Sequence, residues 1–136
     1  MISKLHRLLH DRQFWLYGII GLSGATIDFV LYVVFYKYVG IPPVFASFLS
    51  ISIGIVNNFI LNSRHNFKVS DALMKRFITF YSIGLGGALL SSVLIFLLFN
   101  ILGISPAISK LITIPPVVLL QFFLNKSFSF NERVTK

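Results

Sequence analysis

The sequence has no cysteine, one tryptophan and four acidic residues, against twelve lysines and arginines. Without cysteine there is no disulfide, no thiolate metal site and no cysteine nucleophile. Four acids and three scattered histidines are little from which to build a metal centre or an acid–base pair. A hydrolase is therefore poorly supported, the chain is read as a non-enzyme, and no metal or other cofactor is expected. Charge of either sign is scarce: 12% of the 136 residues are charged and 56% are hydrophobic, with a mean hydropathy of +0.85. A water-soluble chain this short would lack the polar side chains to cover its surface. Its long, repeated apolar runs read instead as membrane spans, with the lipid bilayer as surroundings. The net charge of +8 would suit nucleic acid if it formed a stripe on a polar domain. The basic residues cluster beside the apolar runs instead, so no nucleic-acid partner is expected.

What is present is an internal repeat. Shifted by 63 positions, Phe14–Phe67 aligns without a gap on Phe77–Phe130, and about sixteen of some 54 pairs are identical. The identities include Gly21/Gly84, Gly24/Gly87, Gly40/Gly103, Pro43/Pro106, Phe59/Phe122 and Asn62/Asn125. Each repeat ends in a polar block after its second apolar run, Asn62–Phe67 and Asn125–Phe130.

Four spans are predicted, at about Phe14–Val39, Val44–Leu61, Phe77–Leu102 and Ala107–Leu124. At about 1.5 Å per residue the second and fourth barely cross a core of about 30 Å. Gly40 and Gly103 end the first helix of each repeat, and Pro43 and Pro106 suit the start of the next. Each repeat is thus a helical hairpin. The N-terminal stretch to Gln13 reads either as a short amphipathic helix in the headgroup layer or as a basic tail. A signal peptide is rejected, because the apolar run continues past Ser23-Gly24-Ala25 and the second repeat carries the same helix internally. In the connection 63–76, Ser70 is placed to cap a short helix ahead of Leu73 and Phe77. Ten of the twelve basic residues lie in the two tails and this connection, leaving only Lys37 and Lys110 on the other side. The positive-inside rule puts both termini in the cytoplasm. The expected fold is an all-α integral membrane protein with one domain over 1–136. It has a basic tail at 1–13 and four transmembrane helices in two parallel-oriented two-helix repeats, about 14–67 and 77–130. A pseudo-twofold along the membrane normal relates them.

Asp28 lies near the middle of the first span, where a carboxylate costs about 2.5–3.5 kcal/mol on insertion scales and should face protein or water. Ser91 replaces it in the second repeat, and Asp28, Asn57 and Ser91 are candidates for a polar path. Helix glue is the alternative role for Asp28. Lys110, about one turn into the fourth span, either snorkels to the interface or holds an anion there. At the other ends, Asn58, Asn62 and Arg64 meet Gln121, Asn125 and Lys126 of the second repeat. Amide and cationic donors at headgroup depth suit a phosphate, although the same residue types also anchor helix ends.

On these residues the sequence resembles the GtrA-like family of small four-helix bacterial membrane proteins. The matching features are Phe14 and Gly18, the Gly-rich stretch leading to Asp28, and the twice-repeated Phe-x-Leu-Asn-x-x-x-x-Phe at Phe59–Phe67 and Phe122–Phe130. Lys110 and the Lys75-Arg76-Phe77 opening of the third span also fit. The family often has an Arg after each Asn and an aromatic before the closing Phe; Asn66, Ser127 and Ser129 stand at some of those places here. The resemblance implies movement of a polyprenyl-phosphate-linked monosaccharide from the cytoplasmic to the outer leaflet of the bacterial inner membrane. It also implies partner membrane glycosyltransferases and a place in cell-surface polysaccharide synthesis. Two further readings stand beside it: a scaffold recruiting glycosyltransferases, and a small-cation/proton antiporter, against which the paired basic blocks count. A homo-oligomer is compatible with so few helices.

Overall fold

A computed structural model describes residues 2–131; Met1 and the C-terminal basic residues Arg133 and Lys136 counted above lie outside the described residues. Every regular element among the described residues is helical: α1 (Ile2–Leu9), α2 (Arg12–Val33), α3 (Pro43–Leu61), α4 (Leu73–Asn100) and α5 (Pro106–Leu124). π-helical turns prolong α2 over Val34–Val39, α3 over Asn62–Asn66 and α5 over Asn125–Ser129. With these turns, four helices of 28, 24, 28 and 24 residues are long and apolar enough to cross a membrane. They measure roughly 36–42 Å at about 1.5 Å per residue. The second and fourth are longer than their sequence suggested, because Asn62–Asn66 and Asn125–Ser129 wind on as π turns instead of leaving the helix. The expected short helix capped by Ser70 does not form; α4 runs unbroken from Leu73 through Phe77.

The chain divides into two compact units, Met1–Leu73 and Met74–Lys136. In the first, α1 is a helix with Leu8 buried and Ile2, Leu5 and Leu9 exposed. The Trp15 indole donates to the Leu9 carbonyl at 2.7 Å, and the Asp11 carboxylate caps α2 by accepting from the Gln13 amide at 2.9 Å.

Both hairpins turn by the same device. Gly40 (φ 87°) and Gly103 (φ 70°) take the left-handed conformation that lets the chain reverse without a Cβ clash. The amides of Ile41 and Ile104 then reach six residues back to Phe35 and Leu98, at 2.9 and 3.0 Å. Pro43 and Pro106, which have no amide hydrogen to lose, open the next helices.

The second helix of each unit presents a stripe at four-residue spacing. In α3 and its π turn this stripe is Ala46, Ser50, Gly54, Asn58, Asn62 and Asn66; in α5 it is Ser109, Thr113, Val117, Gln121, Asn125 and Ser129. Asn58 and Gln121 are half-buried and the other ten are buried. Small residues near the hairpin turn allow close approach where hydrophobic burial offers no net drive, as in lipid. The backbones of α2 and α3 come close at Gly54, where a Cβ would stand 2.8 Å from the Gly24 carbonyl oxygen and 3.3 Å from the Asp28 Cβ. Within α2, Gly24 is in contact with α3, while a Cβ on Gly21 would have nothing within 4 Å.

Gly54→Ala should therefore force α2 and α3 apart and cost about 1–3 kcal/mol, the usual range for overpacking. Gly18→Ala, where nothing lies within 4 Å, should be neutral or slightly stabilising. Thermal unfolding in detergent checks this contrast; equal behaviour of the two variants contradicts the close approach.

Candidate functional site

In each unit the first helix begins and the second ends at the same end, away from the glycine turn. The polar blocks are built there. Phe67 and Phe130 donate their amides five residues back to the carbonyls of Asn62 and Asn125, at 2.8 and 2.9 Å, closing a wide turn in each unit. The side chains of Asn62 and Asn125, each 1% exposed, sit inside these turns. Asn62 donates to the Asn58 carbonyl at 2.9 Å and accepts from the Asn66 amide at 2.9 Å. Asn125 accepts from the Ser129 hydroxyl at 2.8 Å. The two asparagines thus hold the turns from within, while Arg64 and Lys126 project from those turns and are exposed. The Lys126 ammonium lies 5.5 Å from the centroid of the Phe122 ring, a cation–π distance.

Each unit also ties the end of its second helix to the start of its first, by different chemistry. In the first, the Asn66 amide donates to the Gln13 carbonyl at 3.0 Å. In the second, Arg76, which is 1% exposed, donates to the carbonyls of Ser129 and Asn131 at 3.1 and 3.0 Å. A buried guanidinium on the carbonyls of a helix C-terminus satisfies acceptors that have no partner within the helix. Phe80 and Phe130 pack edge to face beside it, with centroids 5.7 Å apart.

Deeper in each hairpin the other two amides lie over glycines. A Cβ on Gly24 would collide with the Asn58 carboxamide, and one on Gly87 with that of Gln121. These glycines leave the room in which the amides rest. Asn57 donates to the Ser23 hydroxyl at 3.1 Å and, more weakly, to Asn58 Oδ1 at 3.4 Å. The Asn58 and Gln121 nitrogens donate no hydrogen bond among the described residues. Asp28 is half-buried beside Gly54 and has no hydrogen-bond or ion-pair partner among the described residues. Its counterpart Ser91 meets Thr113 at 3.4 Å, and Thr113 donates to the Lys110 carbonyl at 2.7 Å. The Lys110 side chain is exposed, one turn from Pro106.

The structure thus joins Asp28, Asn57 and Asn58 along one α2–α3 face, and separates the amides into engaged (Asn62, Asn125) and available (Asn58, Gln121) pairs. Sequence reasoning missed the roles of Arg76 and Asn66. The available signal was spacing, because Asn66 and Ser129 follow Asn62 and Asn125 by four residues. Among the described residues no group of histidine and acidic side chains is arranged to hold a metal ion.

Asn62→Ala and Asn125→Ala should each destabilise the protein by about 1–3 kcal/mol, the penalty for stripping partners from buried polar groups. Arg64→Ala should change stability by less than about 0.5 kcal/mol, as exposed substitutions generally do. Circular dichroism melts of the three variants test this ordering, and an Arg64→Ala loss as large as the asparagine losses contradicts it.

No curated protein and no solved structure matches the chain. A family model described as GtrA/DPMS, transmembrane domain, matches residues 16–130, which take in the last three long helices and all but the first turn of the first. The chain is therefore a multi-pass membrane protein that belongs to the GtrA/DPMS transmembrane-domain family.

Proposed function

We propose that the protein moves a polyprenyl-phosphate-linked monosaccharide from the cytoplasmic to the outer leaflet of a bacterial inner membrane, for cell-surface polysaccharide synthesis or modification. The observation that carries this reading is the pair of available amides. Asn58 and Gln121 each rest on a glycine inside a hairpin, with donors unused, in surroundings where an unused donor is costly. A passing head group rich in oxygen acceptors supplies what they lack. Family membership agrees with this, since GtrA-like proteins are associated with carrier-lipid-linked sugars.

In this reading both termini are cytoplasmic and the two repeats point the same way, related by an axis along the membrane normal. Arg64 and Lys126 attract the phosphate at the cytoplasmic surface, Arg64 by two parallel bonds and Lys126 as a point charge. Asn62 and Asn125 contribute by fixing the turns that present those cations. The sugar passes Asn58 and Gln121 and then the stretch marked by Asn57, Asp28 and Ser91, where hydroxyls exchange hydrogen bonds with carboxylate, amide and hydroxyl. Lys110 receives the phosphate near the outer leaflet. The prenyl tail stays in lipid throughout, so only the head group needs shelter. The sequence has no nucleotide-binding motif, so the driving force is a gradient or consumption of the product outside. A membrane glycosyltransferase on each side makes and uses the cargo, and the protein itself breaks no bond.

The test is reconstitution in liposomes with a short-chain prenyl-phosphate monosaccharide, following its arrival in the opposite leaflet. Wild type should transport. Arg64→Ala/Lys126→Ala should slow transport about tenfold or more, since a hydrogen bond to a charged group is worth about 1.5–3 kcal/mol. Asp28→Asn should slow it while leaving the protein folded. Absence of transport by wild type that still binds a glycosyltransferase would sink this proposal and favour a scaffold.

A further inference from the structure

At its open end the first unit contains a cavity of about 280 Å³ that no sequence motif announced. Arg12, Gln13, His65, Asn66 and Lys68 supply its polar lining, with Leu16 and Phe67 beside them. That space is much more than a bare inorganic ion occupies. Arg12 and Lys68 bring two fixed positive charges, and the His65 ring brings a further hydrogen-bonding group. Of the acids near the lining residues in sequence, Asp11 accepts the Gln13 amide and Asp71 follows Lys68 by three residues.

Two features distinguish this lining from an ordinary basic helix end. Lys68 holds a left-handed backbone, φ 52°, a conformation that costs an L-residue about 1–2 kcal/mol. The amide of the next residue, Val69, returns to the Ser63 carbonyl at 2.8 Å and fixes that bend. Asn66 is 6% exposed, and its Oδ1 is buried with no hydrogen-bond partner. That orientation cannot be reversed by exchanging the amide atoms. The Asn66 nitrogen donates to the Gln13 carbonyl and to Asn62 Oδ1, and Asn62 is itself oriented by its donation to the Asn58 carbonyl. Asn66, one of the residues that line this basic cavity, therefore carries a buried acceptor without a donor.

The second repeat has a different side chain at the corresponding place. Arg76 stands at the position of Gln13, and its guanidinium binds the carbonyls of Ser129 and Asn131, the counterparts of Asn66 and Lys68. Glutamine at 13 is shorter and uncharged. The first repeat has a cavity where the second has a buried arginine.

We infer that this cavity of the first repeat binds a phosphodiester that carries a neighbouring hydroxyl, with Arg12 and Lys68 holding the phosphate and Asn66 Oδ1 accepting from the hydroxyl. A glycosyl prenyl phosphate and a glycerol-headed phospholipid share this chemistry. The inference rests on the proposed function in taking the glycosyl lipid as the intended occupant, and makes the cavity its first stop at the membrane surface.

The experiment is equilibrium binding to the full chain in nanodiscs, with no transport readout. The probes are a short-chain prenyl phosphate monosaccharide, the prenyl methyl phosphodiester of equal charge but no hydroxyl, and phosphatidylglycerol. Wild type should prefer the sugar diester over the methyl diester about tenfold, the scale of one satisfied buried acceptor. Arg12→Gln/Lys68→Asn should weaken both diesters about tenfold or more, because charge-assisted contacts are lost; asparagine at 68 tolerates the left-handed backbone. Gln13→Arg, which imports the arginine of the second repeat, should keep or raise thermal stability and erase the preference for the sugar. Phosphatidylglycerol binding as tightly as the sugar diester would assign the cavity to bulk phospholipid and overturn the glycosyl occupant. Unchanged affinity in Arg12→Gln/Lys68→Asn, or a sugar preference that survives Gln13→Arg, would overturn the site itself. In either case liposome transport by wild type would leave the proposed function standing; intact binding without transport would remove that function and keep the site.

Discussion

Two buried carboxamides, Asn62 and Asn125, set the architecture of the open ends. A helix that ends near a bilayer leaves carbonyls without partners, and lipid offers no replacement donors. Each asparagine addresses this by staying inside the helix. Its carbonyl accepts the amide of a phenylalanine five residues on, and its side chain accepts from the residue four positions on. The chain widens into a π turn and the helix gains length at the headgroup level. That turn determines where Arg64 and Lys126 project, and where Asn66 or Ser129 can be reached from the first helix. The stripe behind them, one residue in four, continues the same logic toward the hairpin turn with alanine, serine, threonine and glycine.

The repeats share this frame and differ in what they place on it. The first has Gly54 where the second has Val117, Asp28 facing that glycine where the second has Ser91 bonded to Thr113, and Gln13 where the second has Arg76. Each difference makes the first unit more polar or more open, and the second better satisfied within itself. An unpartnered carboxylate beside a close helix crossing is expensive in a membrane, as is a buried amide oxygen without a donor. Such costs concentrate where a ligand relieves them.

Much of the frame was legible in the sequence. Composition alone gave the membrane class, the 63-residue shift gave two hairpins, and Gly40-Pro43 and Gly103-Pro106 marked their turns, because glycine and proline carry local backbone preferences that survive any context. The polar blocks stand at the ends of α3 and α5 as π turns, a geometry the sequence does not announce. Asn62 and Asn125 read as amide donors suited to a phosphate or as helix-end anchors, and their side chains are buried inside the turns. Propensity cannot foresee this, since the choice depends on a partner four residues on and on burial. Arg76 read as one more basic residue on a membrane flank, and only packing reveals that its charge is spent on Ser129 and Asn131. The cavity at Gln13 was invisible for the converse reason, being made by what that glutamine fails to fill.

The central claim is the division between amides that hold the fold and amides that meet the cargo, and side-chain NMR reads it directly. Protein labelled with 15N at asparagine and glutamine, in nanodiscs, would be titrated with a short-chain prenyl phosphate monosaccharide. The account predicts that the Asn58 and Gln121 side-chain NH2 signals move with ligand while those of Asn62 and Asn125 stay fixed and exchange slowly with solvent. Movement of Asn62 and Asn125 with Asn58 and Gln121 unmoved would contradict it.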